Sequence, residues 1–341
     1  MSPARPVTIV GGGLAGLSLG LALRRLDLDV DLHEAGTYPR HRVCGEFIAG
    51  LDARTRSRLG LDPFLADALR HEEVAWHHRD RLVRRQILPE PALALSRQVL
   101  DARLARAFRA AGGRLHERSR ITAPGHAEGW VFAHGRRRGR SGWLGLKVHV
   151  RNLPLAAGLE LHLGDGAYVG LCALPGGEVN VSGLFSQRPG LTPARGDVLG
   201  AYLHAAGLGR LARRLADAET DPDSRCAVAG LGFTPAGATP GQLALGDAWA
   251  MIPPFTGNGM AMAFQSAALA TPALAAWARR TSSWSQATAD VHRALNRHFR
   301  LRLNAARALH AWLLRPARQR WLAWAARAGL LPLRPLYHTL H

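Results

Sequence analysis

Along the first 34 residues the apolar positions change period twice. Val7-Thr8-Ile9-Val10 is an apolar run of strand length, the pattern of a strand buried on both faces. Gly11-Gly12-Gly13-Leu14-Ala15-Gly16 interrupts it, and Leu17 to Leu26 then carries apolar residues at helical spacing. Val30 and Leu32 alternate toward Glu34, which ends a second strand. The segment predicts a βαβ unit. Residues 36–50 form a loop rich in Gly, Pro and Arg, and residues 96–111 predict a helix with Leu100, Leu104 and Phe108 on one stripe.

From 143 to 185 the period falls to two. Trp143–Val150, Leu159–Leu163, Tyr168–Leu174 and Val179–Phe185 read as short strands separated by glycine turns, an antiparallel sheet. Leu243-Ala244-Leu245 returns to a buried strand closed by Gly246-Asp247, and a glycine loop then opens a long helix. Its stretch Ala261–Ala278 is alanine-rich and broken by Gln265, Ser266, Thr271 and Pro272, which suits a buried helix better than a membrane span. Residues 287–327 predict basic helix, and no internal repeat is found.

At 341 residues, 47% hydrophobic and 20% charged, the chain can bury a large core and is not disordered. Its formal net charge is +19, carried almost wholly by arginine, since Lys147 is the only lysine. Cys44, Cys172 and Cys226 are odd in number and far apart, which argues against a disulfide framework or zinc cluster. The chain enters a strand at Val7 with no signal-peptide pattern, so a cytoplasmic location is expected. The basic run Arg136-Arg137-Arg138 with Arg140 lacks interleaved aromatics and reads as a solvated loop, so no nucleic-acid partner is expected. His71, His77 and His78 lack helical ligand spacing and a cysteine companion, so no metal is expected.

Gly11, Gly13 and Gly16 carry the G-x-G-x-x-G spacing between a strand and a helix. The first glycine permits the tight turn, the second lets the backbone approach a pyrophosphate, and the third lets helix and strand pack. The amides of Leu14 and Ala15 then open a helix whose positive end favours phosphate. Glu34, 18 residues after Gly16, is placed to accept from ribose hydroxyls, with Ala35 beside it. This pattern alone leaves NAD and FAD open.

Gly246-Asp247-Ala248 follows a strand and precedes Pro253-Pro254-Phe255-Thr256-Gly257-Asn258-Gly259-Met260. Here the chain resembles the flavoprotein monooxygenases of the para-hydroxybenzoate hydroxylase class. The resemblance implies FAD. Asp247, after Gly246, would hold the ribityl chain, and the loop from Pro254 through Gly257, Asn258, Gly259 and Met260 would put a helix N-terminus beneath the flavin. Ser96-Arg97-Gln98 resembles the helix whose arginine, here Arg97, reaches the phosphates. The loop Arg40-His41-Arg42-Val43-Cys44-Gly45-Glu46 is similar to that of the geranylgeranyl-reductase and halogenase-like branch, which adds Arg42, Cys44 and Gly45 as cofactor contacts. Two departures stand out. The family's Ala-x-Gly-Arg element appears as Ala133-His134-Gly135-Arg136, and the chain from Gly113 to Ala133 is short enough to lack a hairpin.

Two residues are candidates for catalysis. Lys147 lies on the strand face opposite Leu146, Val148 and Val150, where an ammonium roofing the flavin can stabilise an anion; the alternative is a solvated strand residue. Glu46 either reaches the isoalloxazine or pairs with a nearby arginine. Cys44 suits packing rather than redox chemistry. No second glycine fingerprint exists, so electrons would come from transiently bound NAD(P)H, a separate flavin reductase or the substrate. Residues 289–341 hold ten arginines against one acid, with Trp312, Trp321 and Trp324 among them. They form either a face for peripheral membrane contact or a helix packed on the FAD domain.

The expected fold is α/β: an FAD-binding Rossmann-like domain of the glutathione-reductase type, an antiparallel substrate sheet and C-terminal helices. The expected divisions are 1–142, with part of the substrate region at 47–95, then 143–235, 236–285 and 286–341. The expected chemistry is monooxygenation of an aromatic or lipophilic small molecule. Double-bond reduction of an isoprenoid-like chain and a non-catalytic flavin-fold binding protein are the alternatives. Halogenation fits less well, because Trp249-Ala250-Met251-Ile252-Pro253 only partly matches the Trp-x-Trp-x-Ile-Pro segment of flavin halogenases.

Overall fold

The computed structural model describes residues 3–121, 127–136, 141–194, 196–233, 242–330 and 333–340. The chain opens with β1 (Val7–Val10), α1 (Leu14–Arg24) and β2 (Val30–His33). Next come β3 (Phe47–Ile48), α2 (Ala53–Leu59), α3 (Asp62–Leu65), β4 (Leu69–His78) and β5 (Arg81–Ala94). Helix α4 (Arg97–Ala110) leads into β6 (Arg114–His116), β7 (Trp130–Phe132), β8 (Trp143–Arg151), β9 (Leu159–Gly164), β10 (Ala167–Ala173) and β11 (Val179–Ser186). Then follow α5 (Val198–Ala205), α6 (Gly209–Ala216), β12 (Glu219–Ala229) and β13 (Leu243–Ala244). Four helices close the chain: α7 (Gly259–Ala278), α8 (Trp284–Leu313), α9 (Pro316–Arg327) and α10 (Leu333–Leu340).

The predicted βαβ unit forms the centre of a parallel sheet of five strands, in the order β13-β7-β1-β2-β6. Val7 and Ile9 are fully buried because helices cover both faces. Helix α1 is buried from Leu14 to Leu23, as a helix must be when it packs between a sheet and its neighbours α4 and α7. Gly20 allows the close approach: a Cβ there would lie 2.9 Å from the Phe108 ring of α4.

A second sheet has eight strands, in the order β12-β8-β11-β10-β9-β4-β5-β3. The four strands expected between 143 and 185 are β8 to β11. Four further strands, β3, β4, β5 and β12, were not legible. β4 and β5 form a long hairpin, and β4 joins β9 in parallel, with Val74 opposite Leu159. β12 closes the other edge with an irregularity between Asp221 and Cys226. β5 and β12 are exposed and polar along much of their length, so neither shows clean alternation. One face of this sheet buries Leu146, Val148, Val150, Val169 and Val181 against Leu203, Leu208 and Leu211 at α5 and α6. The other face looks toward the parallel sheet. Among the described residues no strand lies between β6 and β7, and residues 122–126 of that segment, where a hairpin was expected to be missing, lie outside them.

The basic helical region divides. Arg315 is extended (φ −94°, ψ 120°) ahead of Pro316, and this ends α8 and starts α9. α9 docks on the eight-stranded sheet: buried Gln319 donates to the Gly164 carbonyl at 2.8 Å, and Arg84 of β5 donates to the Ala326 carbonyl at 3.0 Å. Helix α7 is long and apolar enough to cross a membrane, yet Ala261, Phe264, Ala267, Ala270 and Leu274 are buried in the core.

The ring of Phe299 in α8 is fully buried and packs on Trp249. Phe299→Ala is expected to cost about 3–5 kcal/mol in denaturant unfolding. A loss below ~1 kcal/mol would show that α8 is an appendage rather than part of the core.

Candidate functional site

A cavity of about 1150 Å³ lies between the two sheets. Of the residues singled out from the sequence, Gly11, Gly13, Leu14, Ala15, Glu34, Ala35, Arg42, Cys44, Gly45, Arg97, Gly246, Asp247, Pro254, Gly257, Gly259 and Met260 line it. Gly16, Asn258, Glu46 and Lys147 do not. Gly16 is a packing glycine, since a Cβ there would strike the Gly11 carbonyl. Asn258 is fully buried, and its side-chain amide donates to the Leu340 carbonyl of α10.

One end of the cavity fits a dinucleotide. Gly11 has φ +111°, and a Cβ on it would strike the Ala133 backbone. Gly13 differs: the nearest atom to a Cβ there is an Arg97 guanidinium nitrogen at 4.0 Å, which leaves open space beside a cation. Gly13 also begins α1 without a side-chain cap, so the first helical amides are available to an anion. Helix α7 likewise starts at Gly259 without a side-chain cap, and Gly259 and Met260 line the same cavity. Gly257, at φ +71°, lets the preceding loop press on the Phe47 ring. Asp247 opens to the cavity but is enclosed by surrounding chain. That burial pushes its carboxyl up to about 6, against the pull of Arg97 and Arg136.

Glu34 is buried and already saturated. It accepts from the Gly12 amide at 2.9 Å, the Gly36 amide at 2.8 Å, Arg40 at 2.6 Å and Arg42 at 3.3 Å. Burial pushes its carboxyl up, but Arg42, the Gly36 amide and Arg40 outweigh this and hold it below the usual range. With four donors in place, a ribose hydroxyl would have to displace one, and Arg40, with its side chain 32% exposed, is the one free to swing out. Asp101, not singled out from the sequence, is fully buried and clamps two arginines. It takes Arg97 in a bidentate pair at 2.8 Å and 2.8 Å, and Arg42 at 3.0 Å.

The two catalytic candidates meet, but behind the cavity wall. Lys147 does lie on the face opposite Leu146, Val148 and Val150. Its ammonium donates to Glu46 at 3.2 Å and pairs with His41 Nδ1 at 2.9 Å, and both the Lys147 and Glu46 side chains are 0% exposed. Glu46 also bonds His149 Nε2 at 2.5 Å and accepts from the Arg97 amide at 2.9 Å and Ser96 Oγ at 3.3 Å. Arg42 to Gly45 line the cavity and stand in front of this network. Lys147 and Glu46 were expected to touch the flavin, but neither lines the cavity, and both lie buried behind its wall. Burial pushes the Glu46 carboxyl up, but the His149 hydrogen bond and the Lys147 and His149 charges outweigh it and hold the group below its ordinary range. Glu46 sits at φ +57°, which costs a non-glycine residue about 1–2 kcal/mol, so these bonds also hold a strained backbone.

The other end of the cavity is apolar and aromatic. Trp76 of β4, Tyr168 of β10, Phe255 and Met251 line it with Leu161 and Leu184, and Tyr168 and Phe255 meet edge to face at 6.0 Å. Leu336, Tyr337 and Leu340 of α10 close one side. None of these was singled out from the sequence. The alternation of β10 carried a signal for Tyr168; nothing local placed α10. His134, Gly135 and Arg136 of the divergent element also line the cavity, so Arg136 is not a purely solvated residue, while Arg137, Arg138 and Arg140 lie outside the described residues.

No protein-family model matches the chain, and no curated protein matches it. Solved structures do. PqsL, a probable FAD-dependent monooxygenase from Pseudomonas aeruginosa, superposes with a TM-score of 0.73 at 16% identity, covering 96% of this chain and 99% of that one. HpxO of Klebsiella pneumoniae, solved with FAD and uric acid, gives 0.76 at 16% identity over 98% and 96% of the two chains. The p-nitrophenol 4-monooxygenase PnpA of Pseudomonas putida DLL-E4 gives 0.72 at 14% identity over 100% and 97%. The chain has the fold of FAD-dependent monooxygenases, as its resemblance to the para-hydroxybenzoate hydroxylase class implied.

Glu46→Gln removes a buried charge and leaves the Lys147 ammonium without its carboxylate, so a loss of about 3–5 kcal/mol is expected in urea unfolding at pH 7. The folded carboxyl titrates below its ordinary 4.5. Its contribution is therefore full above that pH and is lost as pH falls through the folded value. The gap between wild type and variant should close on acidification below pH 4.5. Equal stabilities at pH 7 would contradict the role assigned to Glu46.

Proposed function

We propose that this chain is an FAD-dependent monooxygenase that hydroxylates an aromatic or lipophilic small molecule. One observation carries the reading: a single cavity joins a dinucleotide-type end, with two uncapped helix N-termini, to an apolar aromatic end on the antiparallel sheet. The shared fold supports it, as do the ligands of its neighbours: PqsL was solved with 2-aminobenzoylacetate and HpxO with uric acid. Bound FAD would supply the redox and oxygen-activating chemistry.

The residues divide the work. The amides at Gly13, Leu14 and Ala15, with Arg97, would neutralise the pyrophosphate. Glu34 would take the ribose once Arg40 moves, and Asp247 the ribityl hydroxyls. The amides from Gly257 to Met260 would face the electron-rich pyrimidine edge, where a helix N-terminus favours negative charge. Trp76, Tyr168 and Phe255 would orient a flat substrate and exclude water. NAD(P)H, bound transiently or used by a separate flavin reductase, is the proposed electron source.

Purified protein should be yellow and release FAD rather than FMN on denaturation. Gly13→Val should stay folded, because the position has room, yet lose the colour by filling the phosphate cradle. Oxygen uptake with NADH or NADPH should rise when a lipophilic phenol is added. Failure of wild type to bind FAD at micromolar concentration would overturn the reading; substrate reduction without oxygen uptake would favour the double-bond reductase, and FAD binding without turnover the binding protein.

We also propose a cytoplasmic protein that touches anionic membrane through its C-terminal helices, at the end of α8 and along α9. Trp312, Trp321 and Trp324 are 40%, 51% and 56% exposed, and Arg318 stacks over Trp312 at 4.8 Å. Exposed indoles among arginines suit a lipid headgroup layer. Binding to vesicles should require anionic lipid, weaken with salt, and fall in Trp321→Ser/Trp324→Ser. Equal or absent binding to neutral and anionic vesicles would leave α9 as packing alone.

A further inference from the structure

Two imidazoles and a carboxylate meet on the face of the eight-stranded sheet opposite that of Trp76 and Leu161. The parallel pairing of β4 with β9 sets His77 directly opposite His162, and Ala75 opposite Glu160. His77, Glu160 and His162 are 8%, 2% and 1% exposed. A nitrogen or carboxylate oxygen from each lies within 4.8 Å of those of the other two. The His77 and His162 rings stand 4.2 Å apart.

The polar atoms here are only partly satisfied. His162 Nε2 bonds Glu160 Oε2 at 2.8 Å, and the other Glu160 oxygen accepts from the Ala156 amide at 2.5 Å. His162 Nδ1 and His77 Nε2 are buried without a hydrogen-bond partner. Buried polar atoms are nearly always paired, so two orphan nitrogens on facing rings call for an unseen ion or water. The other histidine–glutamate group, His41, Glu46 and His149, already holds a cation, the Lys147 ammonium. In the outer group Arg214 reaches the carboxylate at 3.3 Å and also the Pro154 carbonyl at 2.6 Å, so it binds at the rim and not between the rings.

We propose that His77, Glu160 and His162 form a site for one divalent transition ion of the zinc type, with water completing the coordination. Two imidazoles and one carboxylate are the donor set such ions favour. On binding, the ion would take the place of the proton shared by His162 Nε2 and Glu160, so that both groups become its ligands and the proton is released. This reverses the expectation of no metal at His77, since His162 lies 85 residues away and only the strand pairing joins the two. The ion would staple the parallel pairing of this sheet. Trp76 and Leu161, adjacent on the same strands, line the cavity, so the staple would also hold that wall. The site does not depend on the flavin reading.

Chelator-stripped, tag-free full-length protein should be dialysed against micromolar Zn²⁺ and analysed for bound metal, with Co²⁺ as the spectroscopic probe. One Zn²⁺ per chain is expected, with visible ligand-field absorption for Co²⁺. His77→Ala and His162→Ala should each weaken binding beyond the ~10–100-fold typical of losing a supporting partner, and Glu160→Gln by at least that range. His77→Gln and His162→Gln, which keep the side-chain volume, repeat the test if alanine unfolds the sheet. No Zn²⁺ on wild type, or unchanged binding in a folded His77/His162 double variant, would overturn the site. Loss of binding in a His149 variant instead would overturn it too, by placing the ion at the inner group.

Discussion

The buried charge on Glu46 joins three parts of the molecule that the chain brings together from far apart. It lies on the loop after β2, accepts from the first amide of α4, and is balanced by Lys147 and His149 of β8. The parallel sheet, helix α4 and the eight-stranded sheet therefore meet at one carboxylate. A buried ion pair gains little net stability over an apolar contact, but removing one partner is costly. Such a group tolerates few alternative arrangements, which suits a site whose walls come from two sheets.

The arginines show the same economy. Asp101, one turn into α4, fixes Arg97 toward Gly13 and Arg42 toward Glu34 and the Gly12 carbonyl. Glu46 holds the helix end and Asp101 holds the side chains that extend from it. Only Arg40, among the groups on Glu34, is half free, and this is where a ligand can enter the network without breaking buried pairs. The chain's large positive charge therefore has a local structure: a few arginines are ordered by buried acids, while many of the rest face solvent.

Local periodicity made much of this legible. The βαβ unit, β8 to β11 and the start of α7 follow from apolar spacing and glycine positions, and so does the face on which Lys147 lies. What lay beyond the sequence depended on distant segments. β5 reads as polar because arginines cover its exposed side. α10 is short and is placed by Asn258, 82 residues away from Leu340. Lys147 was expected to face a cofactor because no local pattern shows that Arg42 to Gly45 would fold in front of it. Lys147 has a physical sense there: a compact ammonium with rotatable donors can meet both His41 and Glu46 in a fully buried space, whereas a guanidinium has fixed donor directions.

The central claim is that the cavity brings activated oxygen to an aromatic or lipophilic substrate. The most direct measurement is turnover of FAD-loaded protein under heavy-isotope oxygen gas with a reduced nicotinamide, followed by mass analysis of the product. One heavy oxygen atom per product molecule, with none incorporated from labelled water, is the predicted result. Product carrying no oxygen from the gas, or reduced flavin consumed without modification of any substrate, would contradict it.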